Sequence, residues 1–95
     1  MTSKRLLIVD DHPLFREGLK AILRRDPSFA VAGEAGGYAE ALRAAKACRP
    51  DLAVLDISLP DRSGIQLARE LRQMLPDLGI LMVSKIGRAS CRERV

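Results

Sequence analysis

Tryptophan is absent, and the 95 residues include only one tyrosine and two phenylalanines. Any core must therefore come from Leu, Ile, Val and Ala. Long hydrophobic runs are missing too: none approaches the roughly 18 residues that a membrane helix needs. The chain opens MTSKRLLIVDD, whose apolar run is too short, and too soon followed by acids, for a signal peptide. No membrane association is expected, and a cytoplasmic location is. Cysteine is scarce: Cys48 and Cys91 fit no metal-ligand spacing and make no disulfide framework. GEAGG lacks Gly-x-Gly-x-x-Gly spacing, and no Gly-Lys-Ser/Thr follows, which leaves nucleotide binding without support. Internal repeats and low-complexity segments are absent as well. A chain of this length holds one domain at most, near the lower range in which a single core supports itself.

The net charge of +4 invites a nucleic-acid reading, but its distribution argues against one. Residues 1–84 hold twelve Lys/Arg and eleven Asp/Glu, a net of +1. The last eleven residues hold four basic side chains and one acid, a net of +3. The basicity belongs to the tail and says little about the domain.

What is present is a regular alternation. LLIVD (Leu6–Asp10) reads as a strand buried on both faces and ending in acids. Pro13 suits a first helical turn, and Leu14, Phe15, Leu19, Ile22 and Leu23 then recur at helical spacing until Asp26-Pro27. FAVAGEA (Phe29–Ala35) is a weaker strand, followed by a Gly36-Gly37 turn and an Ala-rich helix over Tyr38–Cys48. LAVLDI (Leu52–Ile57) is a third strand. Ser63 suits the N-cap of the next helix, whose apolar face is Ile65, Leu67, Ala68, Leu71 and Met74, with Pro76 closing it. ILMVS (Ile80–Ser84) is a fourth strand. The order β-α-β-α-β-α-β with short loops predicts an α/β fold, a doubly wound parallel sheet with helices on both faces.

In such sheets the working site lies at the C-terminal edge of the strands. Asp10 and Asp11 end the first strand and Asp56 lies near the end of the third, so neighbouring strands would bring three carboxylates together. Crowded negative charges are unfavourable unless a cation sits among them. An all-oxygen donor set points to a hard divalent ion, Mg²⁺ above all. An Asp beside Mg²⁺ is placed to attack a phosphoryl group and form an acyl phosphate, the metal offsetting charge on the phosphoryl oxygens. Ser84, at the end of the fourth strand, is a hydroxyl placed to bond the new phosphate. The helix N-terminus near Pro13 favours anions at the same edge. His12 reads as a cap or surface residue rather than a phosphate carrier.

LLIVDDHPLFREGL, LAVLDISLPDRSGIQLAREL and ILMVS together resemble the receiver domain of bacterial two-component response regulators, over residues 5–84. The DDHPLFREGL start is most similar to regulators of the NarL/FixJ type, which carry a C-terminal LuxR-like helix-turn-helix. The resemblance implies a flavodoxin-like sheet of order 2-1-3-4-5, truncated here after strand four and lacking strand five and the last two helices. It implies that Asp56 accepts a phosphoryl group from a sensor histidine kinase. Asp11 would bind Mg²⁺ directly and Asp10 through water, with the Ser58 carbonyl as a further ligand. Ser84 would move to contact the phosphoryl group, while Pro60 and Gly64 match the loop after the phosphoacceptor. The role would be regulatory rather than enzymatic, with self-phosphorylation and self-dephosphorylation at most. Output would be transcriptional, through a DNA-binding domain absent from this chain, with a homodimer of the longer parent among the expected forms.

A receiver would continue past Ser84 to a fifth strand ending in a lysine that pairs with the phosphoryl group. Here the chain runs into KIGRASCRERV. The last ten residues are also the translation of a common short-read sequencing adapter, ATC GGA AGA GCG TCG TGT AGG GAA AGA GTG. Residues 85–95 are therefore expected to be a non-native tail; a natural basic arm is the alternative. With three carboxylates, one Mg²⁺ and no lysine, a net charge of about −1 precedes the phosphate, so weak phosphorylation is expected of this chain. The uncovered ILMV edge predicts a molten or associating product.

Two rivals stand beside this. A phosphatase of the haloacid-dehalogenase kind also uses an Asp after strand one with Mg²⁺, but it wants Asp-x-Asp, and the residues here are Asp10-Asp11-His12. A purely protein-binding domain would leave the acid triad without a purpose.

Overall fold

Seven elements alternate along the chain in the computed structural model, which describes residues 3–57 and 63–83. They are β1 (Lys4–Val9), α1 (Pro13–Leu23), β2 (Phe29–Ala35), α2 (Tyr38–Cys48), β3 (Leu52–Asp56), α3 (Gly64–Met74) and β4 (Gly79–Val83). The four strands form one parallel sheet in the order β2-β1-β3-β4. This is the expected order over its first four positions, with the reversal of winding between β1 and β3.

The element ends differ from expectation by a residue or two, for local reasons. β1 begins at Lys4 because its N–H already pairs with the Ser28 carbonyl at 2.8 Å. It stops at Val9 rather than Asp10: the Asp10 N–H still reaches the Ala35 carbonyl at 3.0 Å, but the Asp10 carbonyl turns to the Arg16 side chain instead of a strand. β3 ends at Asp56, one residue before the expected Ile57, and β4 begins at Gly79. The expected last residue of β4, Ser84, lies outside the described residues. Ser63 caps α3 as its position suggests, its Oγ accepting the Ile65 N–H at 3.0 Å.

The two faces of the sheet are packed unequally. α2 and α3 cover one face, where Leu7, Val9 and Leu55 meet Ala41, Leu67 and Leu71, all 1% exposed or less. Each fully buried leucine contributes about 1.5–3 kcal/mol relative to an exposed one, so this face dominates the stability. The small Ala41 and Ala45 let α2 approach the sheet closely, and the Tyr38 hydroxyl ties α2 to α3 by donating to Glu70 Oε2. α1 lies on the other face and has no buried residue. Two of the five residues expected on its apolar stripe are open to solvent, Leu14 at 86% and Ile22 at 64%. Leu14 sits more than a quarter-turn from the centre of the stripe, so helical period alone placed it too generously. Ile65, expected on the apolar face of α3, is likewise 54% exposed, because helical spacing turns it away from the buried Leu67 and Leu71.

Candidate functional site

Strand register places the first two acids. β1 and β3 run parallel with Leu6 beside Leu52 and Val9 beside Leu55. Carrying that register one residue further sets Asp10 beside Asp56. Both are 1% exposed, and they are the buried charged residues of the described chain. A buried carboxylate is expensive unless paired or bound to a cation, so two together mark the spot.

Asp11 and His12 complete the cluster. One ligand atom from each of Asp10, Asp11, His12 and Asp56 lies within 4.8 Å of the others. The backbone N–H of His12 donates to Asp10 Oδ1 at 2.8 Å, folding the segment back over the carboxylate. The His12 ring brings Nδ1 to 3.3 Å from Asp10 Oδ1 and 3.0 Å from Asp11 Oδ1, an attraction wherever Nδ1 carries a proton. Asp11 Oδ1 is buried and accepts no hydrogen bond, since the His12 nitrogen is near it but not aligned. His12 occupies the N-cap position of α1 without its side chain capping the helix. The sequence reading of it as a cap or surface residue therefore holds for its 62% exposed side chain, but missed the direction of the ring, toward the two acids that precede it.

The residues fit a hard divalent cation. Three carboxylates supply oxygen donors, and the buried Asp11 Oδ1, which accepts no hydrogen bond and has the His12 ring nitrogen 3.0 Å away, suits a positive partner. Mg–O distances of about 2.1 Å let two direct ligands lie at most about 4.2 Å apart. A set spanning up to 4.8 Å therefore suits an ion held directly by some oxygens and through water by the rest. The imidazole is a poorer partner for Mg²⁺ than the acids are.

The site is framed by residues that sequence reasoning passed over. Arg16, on α1, sends Nη1 to the Asp10 carbonyl and Nε to Glu34 Oε1 of β2 at 3.0 Å. Lys20, one turn further on, takes Glu34 Oε2 at 2.5 Å and Glu17 at 2.9 Å. The hydrogen bond from Lys20 holds the Glu34 carboxyl below the usual carboxylate range, with Arg16 adding to it and burial opposing. Glu34, then Glu17, in turn raise the Lys20 ammonium. The signal was available: an acid inside a strand, and two bases at i and i+4 on one helix face.

Gly64 is the other framing residue. Its N–H donates to the Ile57 carbonyl at 3.1 Å, so the first turn of α3 rests on the end of β3. A β-carbon there would stand 2.4 Å from the Asp56 carbonyl oxygen. Only glycine fits so close an approach of backbone to backbone. Asp10, Asp11 and Asp56 thus come together as the sequence suggested. Ser58 and Ser84, the other two residues singled out, lie outside the described residues, as do Pro60 and the tail.

Comparison with known proteins agrees with this geometry. The model of the response regulator receiver domain matches residues 6–95. The DNA-binding transcriptional activator DevR/DosR of Mycobacterium tuberculosis is 48% identical over 80 residues, which cover 84% of this chain and 37% of that protein. A protein-glutamate methylesterase/protein-glutamine glutaminase of Agrobacterium fabrum is 37% identical over 82 residues, covering 86% of this chain and 23% of that one. Among solved structures, a LuxR-family two-component response regulator from an Aurantimonas species superposes with a TM-score of 0.83 at 36% identity, covering 90% of this chain and 61% of that one. The chain spans little more than a third of the length of the first curated relatives it matches.

Proposed function

This chain belongs to the response regulator receiver family, and from that premise we propose that it is a phosphoacceptor switch of a two-component relay. Asp56 receives the phosphoryl group from a sensor histidine kinase, and Asp10 and Asp11 hold Mg²⁺ beside it. The observation that carries this reading is the meeting of two buried acids, from the ends of adjacent parallel strands, with a third whose oxygen lacks a hydrogen-bond donor.

The chain's own residues divide the work. Mg²⁺, when bound, supplies charge compensation for the phosphoryl oxygens. Asp10 already accepts the His12 N–H, which fixes one of its carboxylate oxygens within the cluster. Asp56 ends its strand, so its carboxylate stands at the edge where the donor phosphate arrives. We assign the Ser58 carbonyl as a further metal ligand and Ser84 as the hydroxyl that contacts the phosphoryl group, on the family resemblance.

The role is regulatory: phosphorylation shifts the receiver, and the shift is read by an output domain. Transcription is the output we propose, because the DevR/DosR relative is a DNA-binding activator. DNA is then met by the output domain, and a homodimer suits that task. The methylesterase relative shows the same type of domain joined to a different output. No helix among the described residues is long and apolar enough to cross a membrane, which suits a cytoplasmic relay.

Incubation with acetyl phosphate tests the assignment. The expected product is a base-labile acyl phosphate on Asp56, dependent on Mg²⁺ and absent from Asp56→Asn. Label that persists in Asp56→Asn and vanishes in Asp10→Asn would transfer the nucleophile to Asp10 and favour a phosphatase. Acid-labile label on His12 would overturn both.

A further inference from the structure

The cation reading turns on where the Asp10 and Asp11 carboxylates point, and one side chain outside the cluster governs the peptide between them. Three of the hydrogen bonds on Asp10 fix its position in the chain. Its N–H donates to the Ala35 carbonyl at 3.0 Å, its Oδ1 accepts the His12 N–H at 2.8 Å, and its carbonyl accepts Arg16 Nη1. The first two partners are backbone groups. The third is a side chain, and unlike the His12 ring, which lies against the carboxylate, it grips the peptide itself, so a substitution there releases the peptide.

Rotation of the Asp10 carbonyl turns the whole Asp10–Asp11 peptide, and with it the Asp11 side chain relative to that of Asp10. Asp11 has a weak anchor of its own against such a turn: its buried Oδ1 accepts no hydrogen bond, and its neighbour at 3.0 Å is the exposed His12 ring. Its aim is set by the backbone. Arg16 suits the task of fixing that backbone. Its Nε is bound to Glu34 Oε1 at 3.0 Å, which orients the guanidinium plane, and the rigid fork then projects Nη1 at the carbonyl. Gly36 leaves room for it: a β-carbon there would stand 3.3 Å from Arg16 Nη1.

We infer that Arg16, clamped by Glu34, is a positioning residue for the divalent cation: it holds the Asp10 carbonyl and so aims the Asp10 and Asp11 carboxylates at one point. The inference rests on the cation reading proposed above. Arg16 does not touch the ion. It acts as the outer partners of metal ligands commonly do, by restricting the ligands before the metal arrives.

The test measures Mg²⁺ affinity of the whole chain by calorimetric titration, beside the metal-free melting temperature and the folded fraction from circular dichroism. Arg16→Ala is expected to weaken Mg²⁺ binding by about tenfold or more in the folded fraction. Arg16→Lys keeps the charge but not the fork, and is expected to stay weakened. Lys20→Ala removes the other partner of Glu34 without touching Asp10, and should bind within about twofold of the parent. Parent-like affinity in Arg16→Ala, full recovery in Arg16→Lys, or an equal loss in Lys20→Ala would each overturn the inference. So would a lower melting temperature in Arg16→Ala with no change in affinity. Asp10→Asn separates the two levels: if it loses Mg²⁺ while Arg16→Ala keeps it, the positioning role alone fails; if it too binds as the parent does, the cation reading fails first.

Discussion

The two ends of the central strands carry the same residue type and treat it in opposite ways. At the N-terminal end, Asp51 is knitted into the backbone. Its Oδ2 accepts the Arg5 N–H at 2.9 Å, its N–H donates to the Arg5 carbonyl at 2.8 Å, and its carbonyl accepts the Gly79 N–H at 3.0 Å. At the C-terminal end, Asp10, Asp11 and Asp56 are drawn together, and one buried oxygen is left without a donor. An aspartate that closes a strand end strengthens the sheet. Aspartates crowded at a strand end weaken it until something positive arrives. The difference teaches where stability was exchanged for function.

The largest effect should come from neutralising the crowded end. Two like charges within 4.8 Å of each other repel by about 3.5 kcal/mol or more at an effective dielectric near 20. Asp10→Asn should therefore raise metal-free stability, by about 1–3 kcal/mol in urea melts, while abolishing Mg²⁺ binding. Mg²⁺ at a hundredfold excess over its dissociation constant should add about 2.7 kcal/mol to the parent and nothing to that variant. A metal-free loss of stability in Asp10→Asn would break the contrast.

Next comes Gly64→Ala, which drives a β-carbon toward the Asp56 carbonyl. A loss of about 1–3 kcal/mol is expected, together with weaker Mg²⁺ binding, because the end of β3 must shift. Asp51→Ala at the opposite end should cost about 1 kcal/mol through one lost hydrogen bond, and leave Mg²⁺ affinity alone. Equal effects of Asp51→Ala and Asp10→Asn on Mg²⁺ would erase the distinction between the ends.

The smallest effect is that of pH on Glu34. Its carboxyl titrates below its ordinary value of 4.5, so its contribution is complete above that value. That contribution fades as pH falls through the lower, folded-state value, where protonation releases Lys20 and Arg16. Glu34→Gln should flatten this part of the acid limb of a pH-dependent melt.

Much of this arrangement was legible in the amino-acid order, because it depends on period and position. Pro13, the Gly36-Gly37 turn and Ser63 mark element starts by local chemistry, and the acids at the strand ends converge because parallel strands put their C-termini on one edge. What stayed hidden depends on contacts between distant segments. Arg16 and Lys20 read as solvent-facing charges until Glu34 is seen beside them. The reason for glycine at position 64 is an approach of two backbones, which leaves no trace in side-chain pattern. Leu14 and Ile65 were assigned to apolar stripes by spacing, yet helix and sheet meet along a narrower strip than the spacing spans.

Replacing Mg²⁺ by Mn²⁺ and following backbone amide resonances by NMR tests the central claim most directly. Asp51 and Asp56 are about 16 Å apart along the strand direction, far enough for a paramagnetic ion to distinguish them. The account predicts that the Asp10, Asp11 and Asp56 signals broaden together at low Mn²⁺, while Asp51 stays sharp. Broadening of Asp10 and Asp11 without Asp56, or a diffuse loss over all acidic residues, would contradict it.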